Sequence, residues 1–186
     1  MILYINACVR DASRTARLAR YLLKKLDGPV CEVRPAELAF PTADEDFLKR
    51  RDALLRAGRT DDPLFDEAHR FAAADSIVVA APYWDLSFPA ALKQYLEQIN
   101  VTGITFAYSP EGIPVGLCKA RRLFYVTTAG GPILSDTYGF GYVRALAEGF
   151  YQIPETRMIR AEGLDLPGTD VEAALRAAEC EIDTMF

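Results

Sequence analysis

Short apolar runs recur along this chain between segments of mixed polarity. Residues 76–81 form the most apolar run, and residues 1–7 and 121–127 have a similar character. Because these runs contain few polar positions, they predict strands that are buried on both faces. Two weaker segments, residues 30–34 and residues 158–160, predict a second and a fifth strand.

Amphipathic segments follow several of these strands. Residues 15–26, 88–99 and 139–150 carry apolar positions every three or four residues, as one face of a helix requires. The last segment has the same pattern, with its apolar stripe at Val171, Leu175, Ala178, Ile182 and Met185. Strands that alternate with helices predict a parallel sheet with helices on both faces and right-handed crossovers between the strands.

Two stretches depart from this simple alternation. Residues 42–74 have mixed charge and a break at residues 58–63, which predicts one or two surface helices. Residues 103–116 alternate apolar and smaller positions as far as Tyr108 and then supply turn residues, which predicts a hairpin-like excursion. We therefore expect one α/β domain over residues 1–186 that carries this hairpin.

The composition limits the possible functions. The chain has 186 residues, of which 51% are apolar and 25% charged, so it can bury a core and is neither disordered nor fibrous. Its formal charge of −5 argues against binding to a phosphate backbone, which requires a basic face. We therefore expect no nucleic-acid partner.

Compartment and metal content are constrained in the same way. No apolar run approaches the ~20 residues that span a bilayer, so we expect no membrane partner, and no secretory signal precedes the first strand. The 4 cysteines are scattered without paired spacing, which fits reduced thiols in a cytoplasmic protein better than a disulfide framework. His69 is the single histidine, so a metal site is not expected.

Three loops are expected to meet at one edge of the sheet. Residues 8–15, 81–88 and 127–133 each follow a predicted strand, and the carboxyl ends of parallel strands share an edge. Ligands of open α/β sheets bind in the crevice at that edge. The convergence of these loops is the main functional prediction.

The first loop has the chemistry of an anion site. It opens a helix with Arg10, Ser13, Arg14 and Thr15, whose guanidinium and hydroxyl groups stand where helical N–H groups lack partners. Such a helix end suits a terminal phosphate. The alternative is that Ser13 or Asp11 only caps the helix and that both arginines lie in solvent.

The same loop admits a second chemistry. Cys8 and Arg14 have the C-x5-R spacing of low-molecular-weight tyrosine phosphatases and arsenate reductases, in which a thiolate beside an arginine could attack phosphorus. The residues between them include neither glycine nor asparagine, and Asp62-Pro63 lies in the wrong loop for a general acid. These two departures weaken the match, and a phosphatase-like enzyme is kept as an alternative function.

The other two loops supply walls for a flat ligand. Tyr83, Trp84 and Asp85 lie between prolines in the second loop, and Gly130 and Gly131 in the third let backbone N–H groups approach a ligand closely. A pair of glycines is also common as a simple turn. Together with a phosphate site, two such walls fit FMN.

Five short motifs follow one another along the chain. They are Ser13-Arg14-Thr15, Pro82-Tyr83-Trp84-Asp85-Leu86, Val101-Thr102-Gly103-Ile104-Thr105-Phe106-Ala107-Tyr108, Thr127-Thr128-Ala129-Gly130-Gly131 and Ala161-Glu162-Gly163. In this order they resemble the FMN-dependent NADH azoreductases and NAD(P)H quinone oxidoreductases of flavodoxin-like fold. The resemblance extends from residue 2 to about residue 168, and the second and third motifs are the most discriminating.

The resemblance implies both a fold and a cofactor site. The fold is a flavodoxin-like, three-layer doubly wound sandwich with a five-stranded parallel sheet in the order 2-1-3-4-5. Each subunit of a homodimer would bind one FMN, and the interface would help to form the substrate pocket. The residues that would bind FMN are Arg10, Ser13, Arg14 and Thr15 near the phosphate, Pro82, Tyr83, Trp84, Asp85 and Leu86 along the isoalloxazine, and Thr128, Ala129, Gly130 and Gly131 at its pyrimidine edge.

The resemblance also implies a reaction. NAD(P)H would pass hydride to the flavin and leave before a quinone, azo compound or similar planar acceptor enters, in a ping-pong cycle that needs no nucleophilic side chain. Phe106, Tyr108 and Tyr138 are candidates to sandwich the acceptor, and the alternative for each is burial against its own domain or the partner subunit. A flavodoxin-type electron carrier without turnover of its own is a further alternative.

Two positions depart from the family pattern. Many relatives have asparagine where Asp85 stands, and some have serine-arginine where Thr128-Ala129 stands. Because a carboxylate is unfavourable beside an anionic flavin, we expect Asp85 to present its backbone to the ring or to pair its side chain elsewhere, for example with an arginine. The second departure leaves the choice between NADH and NADPH open.

Overall fold

The chain contains seven strands and six α-helices in a computed structural model that describes residues 1–186. The strands are β1 (Ile2–Asn6), β2 (Val30–Val33), β3 (Ser76–Ala80), β4 (Phe106–Tyr108), β5 (Pro114–Gly116), β6 (Arg122–Thr128) and β7 (Glu155–Ala161). The helices are α1 (Arg14–Leu23), α2 (Glu45–Arg56), α3 (Asp66–Ala73), α4 (Ala90–Ile99), α5 (Phe140–Gly149) and α6 (Val171–Asp183).

Five of the strands form a parallel sheet in the order β2-β1-β3-β6-β7, and β4 pairs with β5 in a separate antiparallel hairpin. The parallel α/β architecture that the sequence predicts is therefore confirmed. The predicted order 2-1-3-4-5 numbered only the strands of the sheet. The hairpin lies between the third and fourth of these in the chain, so the numbering differs although the five strands are arranged in the same way.

Successive residues of the central strands enter two different cores. Leu3, Ile77 and Leu123 pack with α3, α4 and α5, whereas Val78 and Phe124 pack with α1 and α6 on the other face of the sheet. A strand places neighbouring side chains on opposite faces, so a sheet that is covered on both sides needs continuous apolar runs. The predicted covering of both faces is confirmed.

Three element boundaries differ from the predicted ones. α1 ends at Leu23, and residues 24–26 wind on in tighter i→i−3 turns. α4 begins after Pro89, because the residue before a proline is kept out of the helical conformation. β7 starts at Glu155, well before the predicted residue 158, because this edge strand has partly exposed polar positions that hide its pattern.

The region between β2 and β3 contains two helices of different character. α2 buries none of its residues and is a surface helix, as predicted. α3 instead buries Ala68 and Phe71 in the core, so it is more than a surface element. No helix of the protein combines the length and the apolar character that crossing a membrane requires.

The predicted excursion at residues 103–116 contains the β4–β5 hairpin, which packs closely against the main domain. Phe106 lies opposite Gly116 and packs edge-on against Phe150, with ring centroids 4.8 Å apart. A Cβ atom on Gly116 would lie only 2.1 Å from the carbonyl oxygen of Tyr151. The hairpin can therefore approach the main domain this closely only with glycine at that position.

We predict that Gly116→Ala destabilises the protein by about 1–3 kcal/mol, because the added methyl group forces the hairpin away from the backbone of Tyr151. Urea unfolding followed by circular dichroism measures the change. Gly149→Ala at the end of α5 is the matched control, since its Cβ meets nothing within 4 Å, and it should leave stability unchanged or raise it slightly. Equal stability of the two variants would contradict the close approach.

Candidate functional site

The hydrogen-bond ladder of the sheet continues past the ends of the strands. The N–H of Ala7 donates to the carbonyl of Ala80 at 2.8 Å, and the N–H of Ala81 donates to that of Val126 at 3.0 Å. The first residues of the loops after β1 and β3 are therefore still held by the sheet. Because the strands are parallel, these loops begin side by side at one edge.

The first loop ends in the cap of α1. The hydroxyl of Ser13 accepts the N–H of Ala16 at 3.2 Å, so Ser13 caps the helix as one interpretation of the sequence predicted. The N–H groups of Arg14 and Thr15 lie in the first helical turn and have no intrahelical partner. The helix end can thus still receive an anion beside its cap.

A hydrogen bond between two buried hydroxyls joins the first loop to the third. Thr15 Oγ1 and Thr128 Oγ1 are 2.6 Å apart, and both side chains are buried. This bond ties the beginning of α1 to the end of β6. The hydroxyl of Thr15 therefore already has one partner in the protein, and its backbone N–H, which has no intrahelical partner, can also serve as a donor to a phosphate.

Cys8 does not have the environment of a nucleophile. Its side chain is 4% exposed, packs in the core between the sheet and α1, and approaches the carbonyl of Ala80 at 3.7 Å. Burial raises the pKa of the Cys8 thiol above its ordinary value, and this effect outweighs the opposing hydrogen bond of Ser13. The phosphatase alternative fails because the thiol faces the core as a neutral group.

The second loop contains a tight turn in an uncommon conformation. Trp84 and Ser87 exchange backbone hydrogen bonds of 3.2 and 2.7 Å, and both residues between them, Asp85 at φ 49° and Leu86 at φ 66°, are left-handed. Two such residues form a type I′-like turn, which is strained without glycine. Asp85 is exposed and pairs with no arginine, so the pairing that we considered for its carboxylate is absent.

Backbone and side-chain hydrogen bonds join the second loop to residues on both sides of the glycine pair. The N–H of Tyr83 donates to the carbonyl of Thr128 at 3.0 Å, and its hydroxyl donates to that of Ser135 at 3.2 Å. Ser87 Oγ donates to the carbonyl of Tyr138 at 2.7 Å. The second and third loops therefore form one connected wall.

A cleft of about 390 Å³ opens between the loops, within the usual size range of small-molecule sites. Most of the predicted cofactor residues line it. These residues are Arg10, Ser13, Arg14, Thr15, Pro82, Tyr83, Trp84, Thr128, Ala129 and Gly130. The prediction that the three loops share one ligand crevice agrees with this arrangement.

Some predicted site residues lie elsewhere. Asp85, Leu86 and Gly131 do not line the cleft and stand at its rim or beside it. Phe106 is 5% exposed and packs against Tyr108 of its own hairpin and Phe150 just after α5, so it is buried against its own domain. Tyr108 and Tyr138 are largely exposed, so their rings are available to another molecule.

A fourth loop, after β7, completes the cleft and was not predicted. Leu164 and Asp165 line it, together with Val9 and Ala12 of the first loop. The carboxylate of Asp165 accepts a hydrogen bond from Arg14 at 2.7 Å. The sequence signal was present, because residues 161–163 form one of the recognised motifs and follow a strand that ends at the same sheet edge.

Unpaired N–H groups identify the donors of the site. The N–H of Ala129 is bonded to the carbonyl of Ala161 at 2.9 Å, so Ala129 contributes only its surface to the wall. The N–H groups of Gly130 and Gly131 have no acceptor in the protein. With Arg10 and Arg14 at the helix end, the cleft offers a cationic end, an aromatic wall and a loop of free backbone donors.

This donor set matches the parts of FMN. Arginine and helix N–H groups suit a terminal phosphate. The aromatic side chains of Tyr83 and Trp84 suit a planar ring, and free N–H groups suit the carbonyl edge of that ring. The residues present therefore fit the cofactor that the sequence predicts.

Comparison with known proteins agrees with the fold. An FMN-dependent NADH:quinone oxidoreductase of Clostridium perfringens is 34% identical over 182 residues, which cover 92% of this chain and 90% of that protein. An FMN-dependent NADH:quinone oxidoreductase 2 of Clostridium acetobutylicum is 46% identical over 114 residues, or 59% of this chain and 56% of that protein.

A solved structure has the same overall arrangement. It is an FMN-dependent NADH-azoreductase of Bacillus anthracis in complex with FMN, and it matches with a TM-score of 0.79 at 21% identity over 99% of this chain and 98% of that one. At this identity the likeness concerns the fold alone. The Flavodoxin_2 family model, described as a flavodoxin-like fold, matches residues 1–186, and the chain belongs to this family.

Proposed function

We propose that this protein binds FMN in the cleft and uses it to reduce quinones, azo compounds or similar planar acceptors with NAD(P)H. The observation that carries the proposal is the single cleft in which a cationic helix end, an aromatic wall and free backbone donors meet. The relative from Clostridium perfringens, aligned over 92% of this chain, is named for this chemistry with NADH as donor and quinone as acceptor.

The phosphate end of the proposed site is formed by α1. Arg10 and Arg14 would donate charged hydrogen bonds to the phosphate, and the N–H groups of Arg14 and Thr15 would add the positive end of the helix dipole. A chain of formal charge −5 gains a local positive site in this way. Ser13 supports the site indirectly, because its hydroxyl holds the cap in place.

The ring end would lie between the second and third loops. Tyr83 and Trp84 offer aromatic surface, while the N–H groups of Gly130 and Gly131 point to no protein acceptor and can donate to the edge of a flat ring. Bound there, FMN supplies the hydride-transfer chemistry that the side chains of the cleft lack. The free N–H groups would stabilise negative charge at the ring edge.

We further propose a homodimer in which the hairpin contributes to the interface. The hairpin exposes apolar side chains, among them Tyr108 at 54% and Ile113 at 61%, and Tyr138 beside the cleft is equally open. Several exposed apolar residues on one protruding element are typical of an interaction surface.

The 4 free cysteines support the cytoplasm as the compartment.

The experiment that tests the function is a visible spectrum followed by turnover. Purified protein incubated with FMN should retain bound flavin after gel filtration, and NADH should bleach it without air. Steady-state oxidation of NADH should then require both FMN and a quinone. Binding of FMN without turnover would instead support an electron carrier, and failure to bind FMN would contradict the proposal.

Cys8 is not expected to take part in the reaction. Cys8→Ser should leave FMN binding and NADH oxidation within about twofold of the native protein, because the side chain faces the core and not the cleft. Iodoacetamide at neutral pH should label the exposed Cys180 well before Cys8, whose raised thiol pKa and burial both slow alkylation. Phosphate-ester hydrolysis that disappears in Cys8→Ser would reverse the assignment.

A charged residue on the hairpin should weaken the proposed dimer. Ile113→Asp should shift the protein toward monomer in sedimentation experiments, because a charge would be buried at the proposed interface. Leu48→Asp on α2 is the control, since it places the same charge at an exposed apolar position on another element. A native protein that sediments as a monomer would rule out the proposed interface.

A further inference from the structure

Asp165 connects the two ends of the cleft. Its N–H donates to the carbonyl of Gly130 at 2.8 Å, which fixes its backbone on the glycine loop. Its Oδ1 accepts a hydrogen bond from Arg14 Nη1 at 2.7 Å, which fixes its side chain on the first turn of α1. Asp165 lies just after the motif at residues 161–163 and lines the cleft, although it was not among the predicted site residues.

The glycine loop makes room for this carboxylate. A Cβ atom on Gly130 would lie 2.3 Å from Asp165 Oδ2 and 3.0 Å from its carboxyl carbon. Any side chain at residue 130 would therefore push the Asp165 carboxylate out of its present position. Part of the reason for a glycine here is the approach of Asp165, in addition to access for a ligand.

The two arginines of the cleft differ in how they are held. Arg10 forms no salt bridge, whereas Arg14 is tethered by Asp165. A free arginine must give up many rotamers when it binds an anion, and a tethered one has already lost them. A guanidinium has five N–H donors, so the bond to Asp165 leaves others for a phosphate.

We propose that Asp165 is a positioning residue for cofactor phosphate: it holds the Arg14 guanidinium at the cationic end of the cleft before the phosphate arrives. The inference rests on the proposed placement of FMN in this cleft. Asp165 acts through Arg14 and does not itself favour the phosphate, because two anions repel each other at close range.

Asp165 thus has two opposite effects on FMN binding: it orients Arg14, and it repels the phosphate. In a double-mutant cycle, the effect of removing Asp165 on FMN affinity should therefore change sign when Arg14 is also removed. With Arg14 present, Asp165 should strengthen FMN binding because orientation of the arginine outweighs the repulsion. Without Arg14, the Asp165 carboxylate has no guanidinium to orient, and only its repulsion of the phosphate remains. Asp165→Ala should therefore weaken FMN binding in the native background and should not weaken it in an Arg14→Ala background.

Trp84 provides a readout that does not depend on activity. It is the only tryptophan of the chain and lines the cleft, so its fluorescence should be quenched when flavin binds. Dissociation constants of FMN and of riboflavin, which lacks the phosphate, can be measured in parallel. We expect Asp165→Ala to weaken FMN binding about three- to fivefold, the upper range for an exposed ion pair, with riboflavin binding unchanged.

Two further variants sharpen the comparison. Asp165→Asn keeps an oxygen that can accept from Arg14 and removes the repulsive charge, so FMN affinity should stay within about twofold of native. Glu172→Gln is the matched control: Arg17 donates to Glu172 at 2.7 and 2.8 Å one turn further along α1, outside the cleft. It removes the same charge from an arginine pair and should leave FMN affinity within about twofold.

The outcomes separate the possible roles of Asp165. Weaker binding of both FMN and riboflavin in both backgrounds would show that Asp165 only supports the fold of the loop, and tighter FMN binding in both backgrounds would show repulsion alone. Either result overturns the inference. If Arg14→Ala leaves FMN affinity unchanged while riboflavin still binds, the proposed position of the phosphate is wrong, which is a failure distinct from that of Asp165.

Discussion

The cleft depends on the parallel pairing of the strands. Main-chain hydrogen bonds run past the ends of β1 and β3 into the following loops, so Ala7 and Ala81 are still part of the ladder although they no longer belong to strands. The same pairing binds Ala129, just beyond β6, to Ala161, the last residue of β7. Loops anchored in this way begin at fixed spacings, and the sheet therefore aligns a helix end with two backbone walls.

The net charge of the chain does not show that positive groups are concentrated at one end of the cleft. The chain is acidic overall, but the beginning of α1 concentrates Arg10, Arg14 and unpaired helix N–H groups at one point. Asp165 stands directly beside these groups and engages one of them. This cluster of donors in an acidic protein thus includes a carboxylate, which restricts the orientation of the Arg14 guanidinium.

The spacing of apolar residues predicted most of the strands and helices, because the buried positions of an element recur at regular intervals in the sequence. The run that became β3 is buried at every position, and the stripe of α6 places Leu175, Ala178 and Ile182 in the core. The pattern was weakest at β7, where an edge strand keeps partly exposed polar positions. The C-x5-R spacing of Cys8 and Arg14, which left a phosphatase as an alternative, does not mark an active site, since the thiol faces the core.

The order of strands, helices and loops, and the convergence of the first three loops at one sheet edge, follow from the chain's own pattern of apolar runs and turn residues. Contacts between distant loops do not. Thr15 meets Thr128 across 113 positions and Arg14 meets Asp165 across 151, and both pairs exist only because strands that are far apart in the chain lie close together in the sheet. Periodicity records which side of an element is buried, whereas the partner of a polar side chain depends on strand order and register, which only the assembled sheet defines.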